Sequence, residues 1–402
     1  MKRVGCLFRA LTSFSSLRRA ARQAARGKRH QDSVAGFLVD VEKEIESLQQ
    51  DLRQRRYQPG PYNSFEVNDP KRRAINAPAF RDRVLHHAVC GALEPVLERV
   101  AIADSFACRR GKGSHLAVAR VQEFARHHRY FLKLDIARFY DSVDHQVLRR
   151  ALRRLIKDAD LLWLLDTIID HSPEGLPVGK GMAIGNLTSQ HFANLYLSRL
   201  DHFVKEELGV QAYARYMDDL VFFASTKDVL WQWQKQVEAF TAAELLLRLK
   251  PSATVGAPVH EGVAFLGVRI WPCLRRLAGR RKRRFFKQAW RAFHLFDEAG
   301  TEDQRVLDSF STLFAANLVA DTLRLRQSVV SAMNSPGSRQ ASGSNRVQRG
   351  GSWNNNARNA RAANRNNNAP GNRNRNIGGR VSSSRRFARS GAFTDSSPVH
   401  RS

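Results

Sequence analysis

Acidic residues are scarce in this chain. Its 402 residues include 37 Asp and Glu against 66 Lys and Arg, a formal net charge of +29. Such an imbalance points to a polyanionic partner. Cysteine is also sparse. Cys6, Cys90, Cys108 and Cys273 are scattered with no Cys-x-x-Cys pair, which argues against a disulfide framework or a zinc site and fits a reducing cytoplasm. No run is long and apolar enough to span a bilayer, so no membrane partner is expected. Low acidity and the absence of a secretory apolar core mark the first thirty residues as a basic arm. Apolar residues are not lacking: a hydrophobic fraction of 43% supports one multi-lobed unit or two to three small domains.

Among the few acids, two are adjacent: Tyr216-Met217-Asp218-Asp219-Leu220, between strand-forming residues. A hairpin here forces two like charges together, which costs free energy unless a cation neutralises them. Most Asp-Asp turns are simply solvated. A third carboxylate makes this one distinctive. Tyr130-Phe131-Leu132-Lys133-Leu134-Asp135 reads as a buried strand ending in an acid. Tyr140 follows five residues later, placed either to pack beneath an incoming sugar or as a half-buried core aromatic.

Asp135 with Tyr140, and the Tyr216–Asp219 box, resemble the palm of reverse transcriptases. Further matches follow in order. Lys71-Arg72-Arg73-Ala74-Ile75-Asn76-Ala77-Pro78 and Arg83 resemble the fingers segment that holds a triphosphate. Phe265-Leu266-Gly267 resembles the primer-grip turn. The resemblance implies an α+β right-hand polymerase: fingers, a palm with an antiparallel sheet backed by helices, and a small helical thumb. It implies two Mg²⁺ ions, replaceable by Mn²⁺, held at Asp135, Asp218 and Asp219 with Ile136 beside them. It places Lys71, Arg72, Arg73, Arg83, Tyr140 and Gln190 at the nucleotide. A Lys is common in the family where Ala253 stands, and Lys250 is its nearest substitute as an acid for pyrophosphate.

Ile184-Gly185-Asn186-Leu187-Thr188-Ser189-Gln190 narrows the family. Most reverse transcriptases carry Gln where Ile184 stands and Pro where Gln190 stands. The departure resembles reverse transcriptases of diversity-generating retroelements, which misincorporate opposite template adenine. Ile184, Gly185 and Asn186 then form the template and fidelity wall. A second clue is the Asn/Arg/Gly-rich stretch at 349–381, from Arg349-Gly350-Gly351-Ser352-Trp353 to Ile377-Gly378-Gly379-Arg380-Val381. By composition it is disordered. Its Asn bias also matches an adenine-rich template repeat read through in frame.

The resulting domains are a basic arm and helix (1–54), fingers and palm (55–270), a thumb (271–333) and a low-complexity tail (334–402). Single helices are expected at 33–53, 82–101, 114–127, 145–170, 190–208 and 229–248, with thumb helices at 283–298 and 303–332. The turn 109–115 and the basic run 275–284 are expected on nucleic-acid backbone. The implied partners are template-repeat RNA, a primer and its cDNA, deoxynucleotides, and a basic, oligomeric accessory variability protein, in a bacterial or phage-infected cytoplasm. Two other readings stay open: a conventional retron or group II intron type enzyme, and a non-catalytic RNA-binding palm.

Overall fold

The computed structural model describes residues 2–68, 72–299, 304–334, 346–348 and 366–368. The class is α+β, as expected. The chain forms two compact units, one of 1–266 with 270–273, the other of 267–269 with the chain from 274 onward.

The first unit opens with four helices, α1 (Leu7–Leu11), α2 (Phe14–Ala24), α3 (Asp32–Val39) and α4 (Val41–Arg53). The basic arm is therefore folded. Ser13 Oγ accepts the Ser16 N–H to cap α2, and Leu17, Ala20, Ala21 and Ala24 are buried. The arginines occupy the opposite face, so α2 is amphipathic despite its charge. The helix expected at 33–53 breaks at Asp40, whose backbone leaves helical geometry (φ −110°, ψ 39°).

A two-stranded antiparallel hairpin follows, β1 (Asn63–Asn68) and β2 (Arg72–Ala77), then α5 (Phe80–Glu98) and α6 (Ser114–His127). Strand β3 (Tyr130–Asp135) precedes α7 (Phe139–Ser142), α8 (His145–Leu155), α9 (Ala159–Asp170) and α10 (Leu187–His202). The single helix expected at 145–170 is two, because Asp158 caps a new helix by accepting the Leu161 N–H. The helix expected at 190–208 starts earlier and ends in a π-turn at Phe203–Glu207.

Strands β4 (Tyr213–Tyr216), β5 (Asp219–Ala224) and, after α11 (Lys227–Glu244), β6 (Val255–Pro258) complete an antiparallel sheet of order β4-β5-β3-β6. Leu132, Leu134, Leu220 and Phe222 share one core with Tyr196, Leu197 and Leu200 of α10 and Leu230 and Val237 of α11. Phe131 and Phe223 take the alternate positions of their strands, and Phe223 meets Phe124 of α6 at 5.8 Å. Helices thus back the sheet, as the strand alternation requires.

Strand β7 (Val263–Phe265) closes the first unit's run, and β8 (Val268–Ile270) and β9 (Arg275–Leu277) lead into α12 (Gly279–Ala299), α13 (Gln304–Asn317) and α14 (Leu323–Asn334). In place of one helix at 303–332 there are two. In the second unit Phe285, Ala289 and Leu313 are packed with Leu277, Phe286, Phe314 and Leu325. Antiparallel strands at Arg346–Gln348 (β10) and Asn366–Asn368 (β11) pair with each other. Otherwise the tail expectation lies outside the described residues. Among the described residues no helix is long and apolar enough to cross a membrane.

Candidate active site

Strand register builds the acidic cluster. Asp135 ends β3 directly opposite Asp219, which starts β5. Tyr216 pairs with Asp219 across the β4–β5 hairpin, leaving Met217 and Asp218 as its two-residue tip. Met217 adopts φ 53°, a left-handed conformation costly for a residue with a Cβ. The turn thereby sets Asp218 beside the other two acids. Burial pushes the Asp218 carboxyl up to about 6, and the charges of Asp135 and Asp219 push the same way while Arg73 opposes them.

The cluster carries an internal cation that sequence alone did not single out. Lys133 Nζ lies 2.8 Å from Asp219 Oδ1. Residues 133 and 135 share a strand face, and Asp219 lies diagonal to Lys133 across the ladder. Period-two alternation was the available signal. Asp219 is therefore engaged within the protein, and among the described residues Asp135 and Asp218 have no ion-pair partner. No group of three or more His, Cys, Asp or Glu side chains among the described residues converges as a ready-made metal cage. The donor chemistry still fits a hard divalent cation. Mg²⁺ is commonly held by one or two carboxylates plus substrate phosphates rather than by an all-protein cage.

Ile136 sits just past this strand end in an antiparallel bridge with Leu249. The flanking bonds, Lys250 N–H to Asp135 O (2.8 Å) and Ala137 N–H to Arg248 O (2.9 Å), leave both backbone groups of Ile136 unused by Leu249. Lys250 is thus placed at Asp135 by its backbone.

Of the basic residues, Lys71 lies outside the described residues. Arg72 Nε donates to Glu66 Oε2 at 2.6 Å on the exposed hairpin. Arg73, on the other face of β2, acts electrostatically on both Asp218 and Tyr140. Arg83 stacks at 5.2 Å on Phe80 and lies beside His87. Its Nε is buried without a hydrogen-bond partner, and burial lowers its pKa. Tyr140 is half-buried against Phe139. Its hydroxyl is pushed upward by burial, then by Cys108 and Asp218.

The Ile184–Gln190 segment faces the hairpin. Asn76 N–H donates to Ile184 O at 2.8 Å. Gly185 has φ 137°, and a Cβ there would lie 2.5 Å from Asn76 O. Asn186 is buried; its Nδ2 donates to Tyr62 Oη at 2.9 Å, while its Oδ1 is unpartnered. Gln190 Oε1 accepts from Cys108 Sγ at 3.1 Å, a partnership with no local sequence signal because the two residues are 82 positions apart.

Against this geometry, comparison with known proteins is decisive. The sequence profile described as "Reverse transcriptase (RNA-dependent DNA polymerase)" matches residues 67–270. The chain belongs to the reverse transcriptase family. Protein YkfC of Escherichia coli is 26% identical over 317 residues, covering 67% of this chain and 83% of that protein. The group II intron-encoded protein LtrA of Lactococcus lactis is 27% identical over 184 residues, 43% of this chain and 31% of LtrA. The chain thus spans under a third of LtrA. A structure of apo telomerase from Candida tropicalis aligns with TM-score 0.47 and 12% identity over 68% of this chain and 59% of that one.

In this reverse transcriptase some of the basic residues expected on nucleic-acid backbone bond the protein instead. The side chain of Arg109 is nearly buried and bonds Glu98 and the carbonyls of Ile102 and Ser105, and Lys112 bonds Ala103 O. These two cations staple their own loop instead of facing a nucleic-acid backbone. In the basic run of the second unit, Arg281 bonds Ala316 O and Asn317 Oδ1 at the end of α13, whereas Arg280, Lys282, Arg283 and Arg284 are exposed. Phe265 is buried. Leu266 and Gly267 both have positive φ (48° and 73°), the signature of a tight two-residue turn.

Proposed function

We propose that this RNA-directed DNA polymerase copies a template-repeat RNA into cDNA carrying substitutions opposite adenine. Bound divalent ions would lower the pKa of a primer 3′-hydroxyl and stabilise charge growing at the α-phosphate. In this reading Asp135 and Asp218 hold the ions, Asp219 is shared with Lys133, and the backbone of Ile136 borders the site. Mg²⁺ is the proposed ion, with Mn²⁺ able to replace it. Arg73 neutralises the triphosphate, Tyr140 packs beneath the sugar and excludes a 2′-hydroxyl, and Leu266-Gly267 grips the primer.

The observation that carries the diversifying reading is Ile184. The backbone of the fidelity wall is tied to the Arg73 hairpin through Asn76, which supports a reading in which the side chain at 184 borders the nucleotide. There a sec-butyl group replaces the usual amide. A wall without that hydrogen-bonding group discriminates less between bases. The Asn-rich stretch at 349–381 supports an adenine-rich template overlapping the reading frame. A basic accessory protein and a bacterial or phage-infected cytoplasm belong to the same proposal.

The test is cDNA synthesis on the cognate RNA with the neighbouring accessory protein, followed by deep sequencing. Substitutions concentrated at template adenines, and reduced in Ile184→Gln, are expected. Faithful cDNA from the native chain would leave the conventional group II intron or retron reading.

A further inference from the structure

Arg215 is the largest fully buried side chain of the molecule's described residues, and it sits two residues before the hairpin tip. All five of its N–H donors are used. Nε and Nη2 bind the two oxygens of Asp201 at 2.7 and 2.6 Å. Nη2 also donates to Ser105 Oγ at 3.0 Å. Nη1 donates to Asn194 Oδ1 and to Met217 O, both at 3.1 Å. Asp201 is itself completely buried and accepts a further bond from Tyr213 Oη at 2.8 Å. A planar guanidinium with every donor committed has a single orientation.

A buried ion pair is weak evidence for stability, because desolvation offsets most of its attraction. A hydrophobic pair of similar volume would fill the same space. What such a pair cannot do is hold a carbonyl at the hairpin tip. Met217 O is that carbonyl, and Met217 is the residue kept in the left-handed region immediately before Asp218.

The same group reaches the nucleotide wall. Asn194 and Asp201 lie seven residues apart on one face of α10. Asn194 Nδ2 donates to Ala107 O at 2.7 Å, next to Cys108, whose thiol bonds Gln190. Backbone bonds from Arg215 N–H to Asp104 O and from Phe106 N–H to Arg215 O lay segment 104–107 alongside β4.

We infer that Arg215 is a positioning residue for the Asp218–Asp219 turn. Braced by Asp201, Asn194 and Ser105, it fixes the tip so that the carboxylates are arranged for a divalent cation before one arrives. This rests on the polymerase reading, and the experiment separates the two.

The variants are Arg215→Lys, which retains the charge opposite Asp201 but not the fork, and the double variant Asp201→Leu with Arg215→Met, which keeps a packed core if the lysine variant does not fold. Tyr213→Phe is the control: it loosens the same network without touching Met217. Each chain is titrated with Mn²⁺ while thermal unfolding is followed, and dNTP incorporation on a primed RNA is measured separately. The brace predicts that Mn²⁺ stabilises the native and Tyr213→Phe chains. The Arg215 variants should need about tenfold more metal for the same stabilisation, with kcat reduced and dNTP KM nearly constant. Equal Mn²⁺ shifts in native and Arg215 variants, including none in either, would overturn it, as would an equal change in Tyr213→Phe. Failure of the native chain to make cDNA instead counts against the polymerase reading alone.

Discussion

The ammonium of Lys133, two residue pairs below the end of the β3–β5 ladder, lies 2.8 Å from Asp219 Oδ1. It is the internal counter-charge of a cluster of three carboxylates. Removing it leaves those acids to repel one another and strengthens their demand for an external cation. Lys133→Met is therefore expected to lower the melting temperature of the metal-free protein. It should also tighten Mn²⁺ binding by roughly three- to tenfold, the scale of one half-exposed ion pair. Calorimetric titration reads the affinity directly. Weaker binding would mean that Lys133 supports the ligand arrangement instead of competing with the ion.

Asp218 sets a pH window. Burial, then the neighbouring Asp135 and Asp219, raise its carboxyl from 3.8 to about 6. For an acid raised on folding, the protonated form is the stable one. Its contribution is complete below about 3.8 and is lost as pH rises through about 6. The metal-free protein should lose stability across that interval relative to Asp218→Asn, which has no such titration. Metal binding requires the ionised carboxylate, so it should weaken as pH falls below about 6. Thermal unfolding of both chains, with and without Mn²⁺, gives all four curves. Parallel curves for the native and Asn chains would show that Asp218 ionises normally.

Gly185 and Asn76 touch through backbone, which leaves no flexible atom to yield. A Cβ at 185 would meet Asn76 O at 2.5 Å, and the φ of 137° is itself strained for any other residue. Gly185→Ala should cost about 1–3 kcal/mol locally. The hairpin carrying Arg73 would shift to relieve the clash. The expected signature is a raised dNTP KM with a small change in melting temperature. A large fall in melting temperature with KM unchanged would assign Gly185 to folding alone.

Much of this site was legible because its signals are local. Strand alternation ended β3 at Asp135, and the acid pair marked a hairpin. The helix breaks were less visible. Asp158 caps a helix inside a stretch whose leucines continue in phase on both sides, so periodicity alone joined α8 to α9. The roles of Arg109 and Arg281 were hidden for another reason: a cation in a basic run looks solvated until the fold supplies carbonyls for it to bind. Arg215 is the extreme case. Its partners Asp201, Asn194 and Ser105 come from a helix and a loop distant in sequence. The remaining hint was a cation embedded in a strand of Tyr and Ala.

Among the basic residues left open in the sequence, Arg72 and Arg73 form a contrast between neighbours. Arg72 and Arg73 point to opposite faces of β2. Arg72 is paired with Glu66 on an exposed hairpin, an interaction worth about 0–1 kcal/mol. Arg73 instead lowers the titration of both Asp218 and Tyr140, so its charge is felt where the triphosphate is proposed to sit. Arg73→Ala should raise dNTP KM by about tenfold or more, the scale of one charge-assisted contact, and leave the melting temperature nearly unchanged. Arg72→Ala should alter KM by less than about twofold. Because the hairpin is shared, any general damage to it would affect both variants alike. Steady-state kinetics at varied dNTP on one primed RNA separates the cases: equal KM values for the two variants would remove Arg73 from the nucleotide site.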